Sequence, residues 1–449
     1  MPHIQWPAVP EPTGALLLAL MFQLDQSEYL PPETLERLQM GALHRLLGHA
    51  ASTVPYYRNT PGYAAAAARP SLTGEQWRRQ VPILSRSSLQ EAGPAMRTER
   101  LPAGHEPVSE VITTGSTGRP VRALSTRVTG LFWQAITLRD MLWHERDMRL
   151  TLAAIRADRS DQIPAGGMIL SNWAPFLEAA YPTGRCALMS ITNDIPTQAR
   201  WLVEQNPEYL LSYPSNILAL ADHFHRTGTP LPRLREVWTY GEALRPEVRP
   251  ACAAAWRVPV VDMYSSQEIG YIALQCPENS AYHVQSEAVY VEILDGAGEP
   301  CRPGEVGRVV VSALHNYATP LLRYEIGDYA EQGGPCVCER TLPVLNRIVG
   351  RERNMWVMPN GQRMWPMFPS TVWGHIRAIQ QMQVVQHEVG HIELRLVGPR
   401  ALTTAEEAEV TGLLRRYFPW PFELTLTYLR EIDRGQGMKF EDYISLVGR

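Results

Sequence analysis

Apolar side chains along this chain recur in two rhythms, and their alternation predicts a mixed α/β protein. Over residues 33–52, Leu35, Leu38, Leu43, Leu46 and Leu47 fall at helical spacing, which predicts an amphipathic helix. Similar stretches recur over 131–142 and 217–224, with short β-rich runs such as 258–264 among them. Residues 107–112 and 121–125 read as strands separated by a Gly-rich turn, and 289–312 as a hairpin around Asp295-Gly296-Ala297-Gly298. The tail changes character. Residues 382–387 and 391–397 read as strands pivoting on Val389-Gly390, a helix opens after Thr403 with a capping box to Glu406, and 422–429 reads as one more strand. Strand, strand, helix, strand describes a small α+β domain appended to a larger α/β body. The alanine run 64–68 reads as a loop or short helix, and there is no internal repeat.

Length supports that division, because 449 residues exceed what one ordinary core organises. Hydrophobic residues make up 45% and charged ones 20%, yet no apolar run approaches the length of a bilayer span. The apolar stretch 15–21 follows no basic leader and lacks a small-residue cleavage site, so the expected location is the cytoplasm. Forty-two basic side chains nearly balance 46 acidic ones, leaving −4 with no basic stripe. That balance argues against nucleic acid or a membrane surface as partner and for a small molecule. The six cysteines are too scattered for a disulfide framework, so reduced thiols are expected. One count is more informative. The chain has a single lysine, Lys439, so that 41 of its 42 basic side chains are arginine. Under such a bias a surviving lysine marks a position where a compact ammonium on a flexible stem resists replacement by a planar guanidinium.

The first candidate chemistry is Thr113-Thr114-Gly115-Ser116-Thr117-Gly118-Arg119-Pro120, between two predicted strands. Glycines let a backbone approach phosphate oxygens, successive N–H groups form an anion nest, and the hydroxyls add donors. It is not a Walker loop, since the lysine-serine/threonine ending is absent and no helix follows. Alone, a plain Gly/Ser/Thr turn accounts for it equally well. In context the loop resembles the phosphate-binding loop of adenylate-forming enzymes, and its setting resembles the phenylacetate-CoA ligase family. Upstream, Val54-Pro55-Tyr56-Tyr57-Arg58 and Val81-Pro82-Ile83-Leu84-Ser85-Arg86 are similar to that family's N-terminal signature. The resemblance runs from about residue 35 to the end.

The resemblance implies an α/β fold with a large multi-sheet N-terminal adenylation domain, 1–351, binding ATP and the acid. It also implies a small mobile α+β C-terminal lid, 352–449, hinged at Glu352 to Asn354. Tyr213, Ser215 and Tyr240 fall in the segments of the acid pocket, with Trp173 a further candidate, and Gly241 and Glu242 in the adenine pocket. In Tyr264-Ser265-Ser266-Gln267-Glu268 the tyrosine would pack on adenine and Glu268 would hold magnesium, a hard cation suited to one carboxylate plus phosphates. Ser265 stands where the family favours glycine, and Gln267 where it favours threonine or arginine. Asp328 would accept both ribose hydroxyls, as a carboxylate can, and Arg347 and Arg351 would contact ribose or phosphate. Lys439, near the tail, matches the catalytic lysine, which stabilises charge as pyrophosphate leaves. Arg119, where the loop usually has lysine, follows the chain-wide bias toward arginine.

Cys276, His283, Cys336 and Cys338 supply three thiols and an imidazole, a set suited to structural zinc, and some members of the family carry a comparable cluster. Buried cysteines beside a satisfied histidine are the competing reading. Cys186, Cys252 and Cys301 read as packing residues. The implied activity is ATP-dependent formation of an acyl-AMP from a carboxylic acid and transfer of the acyl group to coenzyme A. Trp133, Trp173, Phe176 and Tyr213 favour an aromatic acid, while Ser171-Asn172-Trp173-Ala174-Pro175-Phe176 is bulkier than the Gly-rich stretch of relatives. The alternatives are delivery to an amine or a carrier-protein thiol, and a nucleotide-binding homologue that has lost catalysis.

Overall fold

The computed structural model describes residues 10–113, 121–158, 162–351, 355–364, 376, 378–379, 381–418, 420–432, 440–441 and 443–447. Residues 33–52 lie in helix Pro32–Thr53, which turns Leu35, Leu43, Leu46 and Leu47 into the core and leaves Leu38, off that face, 55% exposed. The apolar stretch 15–21 belongs to helix Pro12–Ser27, whose Leu17, Met21 and Leu24 pack in one core with residues of helix Arg127–Trp143. The alanine run begins inside a short helix, Pro61–Ala67.

The large body is mixed α/β with more than one sheet, as the sequence suggested, and among the described residues backbone hydrogen bonds join twelve of its strands into one large sheet. From edge to edge these are Val289–Leu294, Val306–Ala313, Tyr324–Gln332, Val344–Arg351, Tyr282–Val284, Gly270–Gln275, Val260–Ser266, Glu236–Tyr240, Tyr209–Ser212, Leu152–Arg156, Cys186–Ser190 and Met168–Leu170. The join is the hairpin Val260–Ser266/Gly270–Gln275. Its first strand pairs parallel with Glu236–Tyr240 and its second antiparallel with Tyr282–Val284, so a parallel half and an antiparallel half share it. A separate ribbon, Val108–Thr113 with Val121–Thr126, carries the Gly-rich segment, and Thr113 pairs with Val121.

The tail builds a four-stranded sheet in the order Glu423–Tyr428, His391–Val397, Gln381–Glu388, Tyr443–Ser445. Helix Thr404–Tyr417 begins with the expected capping box, and its Val410 and Leu414 pack with Trp356, Val384, Leu394 and Phe418. That apolar cluster draws only on residues from Trp356 onward, as an independent core does. Tyr443–Ser445 and the ribbon Trp356–Val357/Arg363–Met364 went unread in the sequence because two or three residues carry no periodicity. Among the described residues no helix is long and apolar enough to cross a membrane, and all six cysteines are free thiols.

Candidate active site

In an open parallel sheet, ligands bind beyond the carboxyl ends of the strands, where the order reverses. Here the chain leaves Leu152–Arg156 for Cys186–Ser190 on one side, then returns to Tyr209–Ser212 on the other. Three adjacent parallel strands end at this reversal. Tyr209–Ser212 delivers Tyr213 and Ser215, Glu236–Tyr240 delivers Gly241 and Glu242, and Val260–Ser266 delivers Tyr264 to Glu268. The last strand shifts register between Tyr264 and Ser265, a bulge of the kind that re-aims side chains beside sites.

Tyr264 is buried, and its hydroxyl donates to Asp328 Oδ2 at 2.8 Å. Burial, with Asp328 beside it, pushes that phenol well above its ordinary value, so it stays a donor. Arg351 Nε lies 3.2 Å from Asp328 Oδ1, because Asp328 and Arg351 are cross-strand partners. Burial opposes the charge on Arg351, but Asp328 and Glu268 more than offset it. Glu268, 7% exposed, faces the Tyr324 hydroxyl at 3.4 Å and Arg86 at 3.6 Å, and Arg86 also donates to the Tyr324 hydroxyl at 3.2 Å. Tyr324 and Asp328 stand on the same face of one strand by period-two alternation. Glu268 and Asp328 therefore belong to a single cluster with Tyr264, Tyr324, Arg86 and Arg351. As a buried carboxylate at the strand ends, Glu268 fits the donor chemistry of a magnesium ion shared with phosphates.

Beside it, the rings of Tyr213 and Tyr240 stack with centroids 4.8 Å apart, Tyr213 belonging to the core of the parallel half and Tyr240 packing against it. Gly241 takes φ +81, which a side chain would resist, and the turn brings Glu242 back over the sheet. Glu242 Oε2 accepts from the Ser215 amide at 3.0 Å, and Oε1 accepts from the amide of Phe440 at 2.8 Å. The tail thus reaches the strand ends one residue after Lys439.

Several expected site residues are elsewhere. Trp173 sits in the core, with its indole N–H bonded to the Leu150 carbonyl and its ring edge-on to Tyr209 and Trp238, so it is a packing residue and does not join Tyr213 and Tyr240. Phe176 packs against the same core, whereas Trp133 is 40% exposed and stacks on Tyr271. Arg347 pairs with Glu331 at 2.6 Å, its side chain half exposed and well along the strand from Arg351. Ser266 accepts from the Ile269 amide within the hairpin turn, and Gln267 is exposed at its tip. Thr114 to Arg119, the hinge Glu352 to Asn354 and Lys439 itself lie outside the described residues, as does the side chain of Thr113. Arg86 and Tyr324 were missed as site residues. The signal was the arginine ending the Val81 to Arg86 signature and the tyrosine four residues before Asp328.

On the antiparallel side, the ligand atoms of Cys276, His283, Cys336 and Cys338 lie within 4.8 Å of one another. The Cys276 and Cys336 sulfurs are 3.7 Å apart, and Cys338 Sγ is 3.2 Å from His283 Nε2. Tetrahedral zinc with bonds of about 2.1–2.3 Å separates its ligands by roughly 3.4–3.8 Å, so the four residues fit that ion. His283 Nδ1 faces the Leu342 carbonyl at 3.4 Å, leaving Nε2 turned inward, and burial lowers the imidazole to about 4, the neutral form that ligates. Asn279 donates to Cys336 Sγ at 3.1 Å. Two residues past Cys338, Arg340 pairs with the buried Glu28 at 3.1 Å, tying this corner to the first helix.

No family model matches the chain. It is 25% identical over 373 residues to a phenylacetate-coenzyme A ligase of Thermus thermophilus, across 77% of this chain and 76% of that one. Its fold superimposes on the crystal structure of 2-hydroxyisobutyryl-CoA ligase in the postadenylation state with a TM-score of 0.71, at 17% identity over 93% of this chain and 91% of that one. Against the same ligase in the thioesterification state, the score is 0.59 at 18% identity, with the same shares covered. In sequence the chain is similar to phenylacetate-coenzyme A ligases, and its fold is that of the adenylate-forming CoA ligases.

Proposed function

We propose that the protein activates a carboxylic acid with ATP and passes the acyl group to coenzyme A. In the first half-reaction a carboxylate oxygen attacks the α-phosphorus, forming the acyl–phosphate bond as the bond to pyrophosphate breaks. In the second, the thiol of coenzyme A gives up its proton, sulfur bonds to the acyl carbon, and AMP leaves. Asp328, held between Tyr264 and Arg351, accepts the ribose hydroxyls, and Tyr213 and Tyr240 wall the acid, which favours an aromatic one. Glu268 would hold magnesium, which supplies charge neutralisation at the phosphates. The segment Thr113 to Arg119 cradles those phosphates in this reading. Lys439 is the mobile cation, carried by a lid of residues 352–449 that turns against residues 1–351 between the half-reactions. Zinc held by Cys276, His283, Cys336 and Cys338 is structural, and the free thiols suit a reducing, cytoplasmic setting.

The observation that carries the reading is the bond from the Phe440 amide to Glu242, which brings the segment after the lone lysine to the ends of the parallel strands, 198 residues away in sequence. The test is Lys439→Arg, which keeps the charge and changes its shape. Acid-dependent pyrophosphate exchange, screened over aryl, arylacetic and short hydroxy acids, should fall about 100- to 1,000-fold. Unchanged exchange would defeat the role given to Lys439. Offering coenzyme A, a holo-carrier protein and amines side by side tests the acceptor.

A further inference from the structure

We infer that Glu242 is a positioning residue, a latch that selects the arrangement of the tail in which the adenylate is made; this rests on the ligase reading above. A contact with the adenine base would be the ordinary assignment for a residue at this turn. The geometry assigns its carboxylate otherwise. Both oxygens meet backbone amides, Ser215 on one side and Phe440 on the other, at 3.0 and 2.8 Å. Ser215 lies in the first turn of helix Pro214–Thr227, where the helix dipole favours an anion, so this half of the grip is fixed within the large body.

The other half belongs to the tail. Glu441, the next residue, accepts at its carbonyl from Gln383 on strand Gln381–Glu388, and Tyr443–Ser445 then pairs parallel with that strand. Phe440, 9% exposed, is therefore where the small sheet is tied to the large one. The amide that Glu242 holds is that of the residue following Lys439 in sequence. A rotation of the small sheet that carries Lys439 away must also withdraw this N–H from Glu242. A contact made in one arrangement and lost in the other shifts the balance between them by its own strength, and a charge-assisted hydrogen bond is among the stronger single contacts. The better superposition on a postadenylation state than on a thioesterification state, 0.71 against 0.59, agrees with an arrangement held on the adenylation side.

The test separates the half-reactions in the full-length protein, using the acid that gives the fastest exchange and its synthetic acyl-adenylate. Glutamine at position 242 keeps one acceptor and turns an NH₂ toward the other amide. Glu242→Gln should lower acid-dependent pyrophosphate exchange about 10- to 100-fold, while thioester formation from the supplied acyl-adenylate and coenzyme A stays within about twofold of wild type. Retained thioester formation also reports that the variant is folded. Phe440→Pro removes the donor from the opposite side and should reproduce the split. Equal losses in both half-reactions for both variants, or a rise in KM for ATP with kcat unchanged, would overturn the latch. Absence of exchange in the wild-type protein with every acid would instead refute the ligase reading.

Discussion

Glu292 and Arg323 form a buried pair whose two halves are not equivalent, and exchanging each for methionine should expose the difference. Both residues are about 5% exposed or less, and they meet as a fork, with Nε to Oε2 at 3.0 Å and Nη2 to Oε1 at 3.1 Å. The remaining nitrogen of Arg323 donates to the carbonyls of Val81, at 2.8 Å, and Arg78. Arg323 adopts φ +47 and immediately precedes Tyr324, so the pair also fixes the strand that faces Glu268. In Glu292→Met a guanidinium is left buried without a counter-charge. It cannot shed its proton, and the expected cost is about 3–5 kcal/mol. With about 2.1 cal/mol/K of unfolding entropy per residue over about 350 residues, that is a Tm loss of about 4–7 °C.

In Arg323→Met the carboxylate left behind can take up a proton. Burial already pushes Glu292 above the usual glutamate value, with Arg323 acting against it, and without Arg323 it rises further. A folded-state pKa above the unfolded one confers stability that is complete below the ordinary glutamate range and is lost as pH rises through the folded value. The deficit of Arg323→Met should therefore be smaller at about pH 5 than at about pH 8, whereas Glu292→Met has no such relief at pH 5, because the stranded guanidinium cannot shed its charge there. The double methionine variant should recover much of the loss. Scanning calorimetry of the four proteins at both pH values decides the matter. A shift below about 1 °C in Glu292→Met, or a deficit in Arg323→Met that is the same at both pH values, refutes the reasoning.

The thiol and imidazole cluster should hold about one zinc per chain by elemental analysis, and Cys338→Ser or prolonged chelation should remove it and lower the Tm, since binding energy at a structural site is folding energy; a metal-free wild-type protein that melts identically with and without chelator rules the site out. Burial opposes the charge on Glu393, but hydrogen bonds from Thr427, His387 and Arg395 prevail and hold it down to about 2. Its stabilising effect is then present above the ordinary glutamate value and lost as pH falls toward 2, so the Tm gap between wild type and Glu393→Gln should be open at neutral pH and close in acid. A gap constant across that window would contradict it.

Much of this protein was legible without coordinates, wherever the signal was local. The period of Leu35, Leu43 and Leu46, the capping box of Thr403 and Glu406, and the alternation in 391–397 each depend on residues a few positions apart. The lone lysine in an arginine-rich chain was legible for a different reason, being a matter of composition. Tertiary structure decided what depends on partners far along the chain. Trp173 looked like pocket and is core, because its indole N–H finds the Leu150 carbonyl and its ring finds Tyr209 and Trp238. Arg347 and Arg351 look alike in sequence, yet the register of one strand pair sets Arg351 against Asp328 and Arg347 against Glu331. Glu242 has nothing in its own segment to say that a tail amide will settle on its carboxylate. A hydrogen bond across 198 residues exists only once the strands that carry its two ends have been brought together.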